Sequence, residues 1–268
     1  MFHTAEKCSL SSSVIEVKNL YKVDRIEIQL LSINDNLDLI DTIDAKIVSI
    51  HLPLPPFCDI TNIIRIIKEQ GREYDFLVRV AKKCKENDCG IVIHADTTLE
   101  KLYRSANIKY LIDFIKKYDL TVHIENTTIE IKNGNESVRA PIQISNYINS
   151  EIGETLCYPL LDTCHYMMVR DAFDSSLTLS LKQVITMYNS DKYYVHLCDK
   201  VGCGEDKRGG KHGFNFRYDE PLLKDILKTI DKYNPELILE IREDDYINSP
   251  NVKELEERID RICKEIAI

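Results

Sequence analysis

Tryptophan is absent from this 268-residue sequence, and glycine and proline are scarce, at nine and eight. So little glycine and proline excludes a collagen-like repeat and a low-complexity disordered chain. No Gly-x-Gly-x-x-Gly turn occurs, and four of the glycines crowd between 202 and 210. A doubly wound dinucleotide-binding sheet would carry that turn after its first strand. Positive charge is in deficit: 35 Lys and Arg against 44 Asp and Glu give −9. That excludes a surface basic all over, though not a local basic groove. No apolar run approaches the roughly 20 residues that cross a bilayer, and the first residues, MFHTAEKCSLSSS, lack the apolar stretch of a secretion signal. The nine cysteines are odd in number and form no Cys-x-x-Cys pair. These features lead us to expect a cytoplasmic protein in a reducing compartment, with no disulfide framework and no membrane partner.

What is present is globular: 44% hydrophobic and 29% charged residues. Short apolar runs recur, each followed by a helix-length segment. They are RIEIQLL (25–31), KIVSI (46–50), GIVI (90–93), LTVHI (120–124), YPLL (158–161), YYVHL (193–197) and LILEI (237–241). An eighth is expected at 1–4. Runs rich in Ile, Val, Leu and Tyr that hardly alternate are the signature of strands buried on both faces of a parallel sheet. Between them, Ile60, Ile63, Ile64 and Ile67 keep the spacing of a buried helical stripe. Thr97-x-x-Glu100 predicts a capping box opening a helix to about Lys117. Pro221 after Asp219 and Glu220, and Ser249-Pro250, mark two later helix starts. Leu255, Ile259, Ile262 and Ile266 would be the buried face of the last helix. Seven or eight strand–helix units in this length predict an α/β fold, a (β/α)8 TIM barrel, as a single domain over 1–268.

The residues at the ends of the runs carry the chemistry. His51, His94, Glu125 and Asp162 close successive runs, with His165 three residues on; His196 and Glu240 lie within the last two. They are separated by roughly 30–45 residues, one strand–helix unit each, so they share the C-terminal mouth of the barrel, where barrel enzymes keep their active sites. Four imidazoles and three carboxylates converging there form a metal-site composition suited to zinc, manganese or iron. Seven donors exceed the needs of one ion; a bridging carboxylate holding two would use them.

The residues around these positions resemble endonuclease IV, the family 2 AP endonucleases, and more broadly the xylose-isomerase-like TIM barrels that include sugar isomerases and epimerases. The likeness rests on Ile124-Glu125-Asn126-Thr127, Leu161-Asp162-Thr163-Cys164-His165, His196-Leu197-x-Asp199 and Leu237-Ile238-Leu239-Glu240. The resemblance implies one metal on His51, His94 and Glu125, and a second on Glu125, Asp162, His196 and Glu240, with Glu125 as the bridge. It implies zinc first, manganese or iron otherwise, and hydrolysis of the phosphodiester at an abasic site in DNA. A third metal would use His165, Asp206 and a histidine two residues after Asp206. In this sequence that place is taken by Arg208, with His212 four residues later. Arginine stays protonated and cannot ligate, so the expectation is that Arg208 replaces a cation and clamps a phosphate oxygen.

A second departure lies after His51. The family reads His-Ala-Pro-Tyr, with a tyrosine that enters the DNA helix; this chain reads His51-Leu52-Pro53-Leu54. The alternative chemistry is that of a sugar or sugar-phosphate isomerase or epimerase. One metal on Glu125, Asp162, His196 and Glu240 would suffice, Glu125 and Glu240 would be the acid–base pair, and His165 and Arg208 would hold substrate oxygens. His123, two residues before Glu125, faces the same side and is read either as a satisfied core histidine or as an orienting partner of Glu125. Cys164 and Cys198 are read as packing, turned away from the mouth.

Overall fold

The apolar runs form the eight strands of a closed, all-parallel barrel in this computed structural model. It describes residues 2–105, 107–127, 134–172, 179–190, 192–201, 211–216, 219–241 and 249–266. In chain order the strands are β1 (His3–Ser9), β2 (Arg25–Gln29), β3 (Lys46–His51), β4 (Gly90–His94), β5 (Val122–Glu125), β6 (Cys157–Asp162), β7 (Tyr194–Leu197), β8 (Asp199–Val201), β9 (Lys211–Phe214) and β10 (Glu236–Leu239). Strands β1 to β7 pair in sequence order, and β10 closes the ring between β7 and β1. The helices are α1 (Ser12–Tyr21), α2 (Ile60–Glu69), α3 (Arg72–Glu86), α4 (Leu99–Arg104), α5 (Ile108–Tyr118), α6 (Gly134–Ile152), α7 (Thr163–Ala172), α8 (Leu181–Tyr188), α9 (Glu220–Ile230) and α10 (Pro250–Ile266). The fold class expected from the sequence is the one observed.

Most of the apolar core lies between strands and helices, as the buried Ile60, Ile63, Ile64 and Ile67 of α2 and the Leu255, Ile259 and Ile262 of α10 illustrate. Ile266 is half-buried against the same cluster. Inside the barrel Ala5, Val48 and Ile238 form a small apolar cluster, with Tyr194 against them. Where β2 meets β3, Ile26 pairs with Ile47 and Glu27 with Ser49, so Val48 is an extra residue. That bulge lets both Val48 and Ser49 reach inside, Ser49 to hydrogen-bond Glu27.

Several local expectations shift. The first strand runs from His3 to Ser9 rather than over 1–4. Glu6 and Lys7 hid it, because charged residues in a strand read as loop. The single helix expected from Thr97 to Lys117 is two, α4 and α5, and the cap is Thr98, whose hydroxyl accepts from the Lys101 amide. In one continuous helix Leu99 and Ile108 would sit about 180° apart, at about 100° per residue. The break turns both toward the core, where Ile108 is buried and Leu99 packs half-buried. Glu240 falls one residue past the end of β10 rather than inside it. Asp219 caps α9 through the Leu222 amide at 3.1 Å, and α10 starts at Pro250. No helix among the described residues is long and apolar enough to cross a membrane. A short antiparallel hairpin, β8–β9, follows β7 and flanks the glycine-rich segment. Residues 202–210, including Asp206 and Arg208, lie outside the described residues.

Candidate metal centre

His51, His94, Glu125 and Asp162 are the last residues of β3, β4, β5 and β6. Parallel pairing sets His94 beside Glu125 and Asp162 beside His196. The seven residues expected at the mouth are therefore together. His51, Glu125, Asp162 and His196 are at most 2% exposed. The side chains of His165 and Glu240, at 17% and 20%, form the rim.

Each imidazole of the inner set is tied by one nitrogen and turned inward by the other. Nδ1 of His51 meets the Leu52 carbonyl at 2.8 Å, leaving Nε2 toward Glu125 Oε2 at 3.4 Å. Nδ1 of His94 meets Cys58 Sγ at 3.3 Å, and its Nε2 lies 3.3 Å from His51 Nε2 and 3.7 Å from Glu125 Oε2. Nε2 of His196 meets Glu27 Oε2 at 3.2 Å. Its Nδ1 faces Glu240 Oε2 at 2.9 Å, Glu125 Oε2 at 3.3 Å and Asp162 Oδ2 at 4.0 Å. His165 lies across the rim, with Nδ1 2.8 Å from the Asn126 carbonyl and 3.0 Å from Glu125 Oε1. Fixing one ring nitrogen selects the tautomer presented by the other.

The motif residues between these groups stitch the strand ends. Asn126 accepts from the Asp162 amide at 2.7 Å and donates to its carbonyl at 3.1 Å. The Thr163 hydroxyl donates to the Cys198 carbonyl at 2.8 Å and accepts from its amide at 3.2 Å. Thr127 reaches the Ala95 carbonyl at 3.3 Å. Both Cys164 and Cys198 are fully buried, but Cys198 Sγ lies 3.9 Å from Asp162 Oδ2 rather than away from the mouth. Strand alternation does not reach either residue, because β6 ends at Asp162 and α7 begins at Thr163, while β7 ends at Leu197. His123 does not reach Glu125 through any hydrogen bond among the described residues. Its ring stacks on Tyr194 at 4.2 Å, and its Nδ1 has no hydrogen-bond partner.

Electrostatics follow from four carboxylates sharing this interior. Burial works against a charged His165, but Asp162 and Glu125 outweigh it and push the imidazole up to about 10. His196 rises likewise, against its own burial, through Glu27 and then Glu125. Burial and the nearby Lys7 ammonium hold His51 down. Glu125 is lowered despite burial by the surrounding histidines, His196 first. A site that draws protons onto imidazoles draws a divalent cation for the same reason.

The donor set fits such an ion. Glu125 Oε2 and His196 Nδ1 are buried and have only ion-pair contacts, with no well-aligned hydrogen bond. His51, His94 and Glu125 present one atom each within 4.8 Å of one another; so do Asp162, His196 and Glu240, and so do Glu125, Asp162 and His165. Tetrahedral zinc with bonds of about 2.0–2.2 Å sets its donors about 3.3–3.6 Å apart, and the first trio spans 3.3–3.7 Å.

Two inward residues were not singled out in the sequence, Lys7 and Glu27. Lys7 Nζ lies 2.8 Å from Glu240 Oε1 and 3.4 Å from Glu27 Oε1. Glu27 is held down at about 2 despite burial, through His196 and then Lys7. Their signal was available as charges inside otherwise apolar strands, Glu27 in RIEIQ and Lys7 in HTAEKCS. Leu54 is 61% exposed on the loop after β3, and His212 falls on β9.

No family profile and no curated protein sequence matches the chain. Solved structures do, over nearly the whole length. A xylose isomerase domain protein from Planctomyces limnophilus superposes with a TM-score of 0.63 at 12% identity, covering 99% of this chain and 98% of that one. Endonuclease IV from Thermus thermophilus gives 0.60 at 15%, covering 97% and 99%. A D-tagatose 3-epimerase-like protein gives 0.59 at 12%, covering 99% and 100%. The fold is thus the (β/α)8 barrel that these solved structures share.

Proposed function

We propose that this chain is a divalent-metal-dependent phosphodiester hydrolase of the endonuclease IV kind, acting at abasic sites in DNA. The observation that carries the reading is the trio His51, His94 and Glu125, a complete donor set beside that of Glu125, Asp162, His196 and Glu240. A one-metal isomerase has no use for it. The donors suit zinc, and also manganese or iron. Cations held there supply Lewis acidity to phosphoryl oxygens and bring the pKa of water near neutrality. The protein's own groups do the rest. Glu125, shared by both donor sets, fixes the spacing between them. His165, charged at neutral pH in the metal-free protein and half-buried at the rim, donates a hydrogen bond to a substrate oxygen or completes a further site with Glu125 and Asp162. Exposure of Leu54 on the loop after β3 supports a wedge between bases at the lesion.

The net charge of −9 favours a second reading, a sugar or sugar-phosphate isomerase or epimerase with Glu125 and Glu240 as acid and base. The test is cleavage of a duplex oligonucleotide carrying one abasic site by metal-loaded protein, with Glu125→Gln as control. Cleavage 5′ to the lesion that the control lacks supports the hydrolase. No cleavage with zinc, manganese or iron, together with turnover of a ketose or sugar phosphate, refutes it in favour of the second reading.

A further inference from the structure

Beneath the mouth lies a charged pair belonging to no motif. Glu27 is fully buried, with partners from three other strands. Ser49 donates to its Oε2 at 2.6 Å, His196 Nε2 lies 3.2 Å from the same oxygen, and Lys7 Nζ lies 3.4 Å from Oε1. Lys7 continues to Glu240 Oε1 at 2.8 Å. Two neighbouring groups of the centre, His196 and Glu240, are therefore set from below by one ion pair. The other half is anchored differently: His51 by the Leu52 carbonyl, His94 by Cys58. Buried ion pairs are a weak source of stability, because desolvation offsets their attraction, and orientation is the use that fits this placement.

We propose that Lys7 and Glu27 are positioning residues for one half of the centre only. Glu27 keeps the proton of His196 on Nε2, so that Nδ1 turns to Glu125, Asp162 and Glu240. Lys7 holds Glu240, which lies one residue past the end of β10. The half formed by His51, His94 and Glu125 makes no hydrogen bond or ion pair to either among the described residues. This inference rests on the reading that the mouth binds two divalent ions.

The experiment is calorimetric titration of the full chain with Zn2+, repeated with Co2+ to follow its visible absorption. Wild type takes up two equivalents. Glu27→Ala weakens one of them about 10–100-fold, the range for a lost outer partner, and leaves the other within about threefold. Glu27→Gln, which still offers His196 an acceptor, recovers most of the loss. Lys7→Met weakens the same equivalent, and the same Co2+ band shifts; this variant carries the test if Glu27→Ala does not fold. Two equivalents weakened alike, or neither weakened, overturns the inference while the two-ion reading stands. A wild type that binds fewer than two ions overturns both.

Discussion

His123 sets up an acid-sensitive interior whose size follows from its surroundings. The ring is 1% exposed, stacked on Tyr194 with an interplanar angle of 12° and on Tyr158 at 5.9 Å. Burial first, and Lys192 second, lower its pKa from 6.5 to about 3. Between those values the unfolded chain takes up a proton that the folded chain refuses. Stability is thus fully present above about pH 6.5 and falls as pH drops toward 3. From pH 7 to 4.5 the loss is about two pK units, or roughly 2–3 kcal/mol. His123→Phe keeps the stacking and removes the titration. Urea unfolding of both proteins at about pH 7 and about pH 4.5, in EDTA to keep the centre metal-free, reads the difference. The variant should lose roughly 2–3 kcal/mol less than wild type over that interval. Equal losses would refute the reasoning, whatever the absolute stabilities.

Other consequences are equally direct. Because the surrounding carboxylates push His165 up to about 10 and raise His196 in the metal-free protein, zinc competes with protons there, and its apparent affinity rises about tenfold per pH unit for each proton it displaces. An affinity unchanged from about pH 6 to about pH 8 contradicts this. Gly90→Ala sets a methyl 2.8 Å from His123 Cδ2 and 2.9 Å from Thr121 Cγ2, so we expect about 1–3 kcal/mol of destabilisation in a denaturant titration, typical of overpacking. A loss below the error of that titration would mean the strand shifts freely. Arg208→Ala should reduce turnover and substrate affinity if Arg208 clamps a phosphate oxygen; kinetics unchanged from wild type would end that role.

The barrel was legible because its strands are buried on both faces and therefore read as apolar runs, and because six of the runs carry a donor at or near their end, one strand–helix unit from the next. That periodicity alone brings His51, His94, Glu125, Asp162, His196 and Glu240 to one mouth. The sequence also determined that this composition suits hard or borderline cations, since the donor types are independent of how they are arranged. What it could not determine is which charges meet across the barrel. Lys7 and Glu27 are 20 residues apart in sequence, and only the parallel pairing of β1 with β2 puts them side by side. Only closure of the ring brings Lys7 to Glu240 and Glu27 to His196. The tautomer each histidine presents was likewise beyond reach, because it depends on the group behind the ring, a carbonyl for His51, a thiol for His94 and a carboxylate for His196. Strand order is written in local patterns, whereas contacts through the interior depend on register and on a bulge, which one extra residue such as Val48 can change.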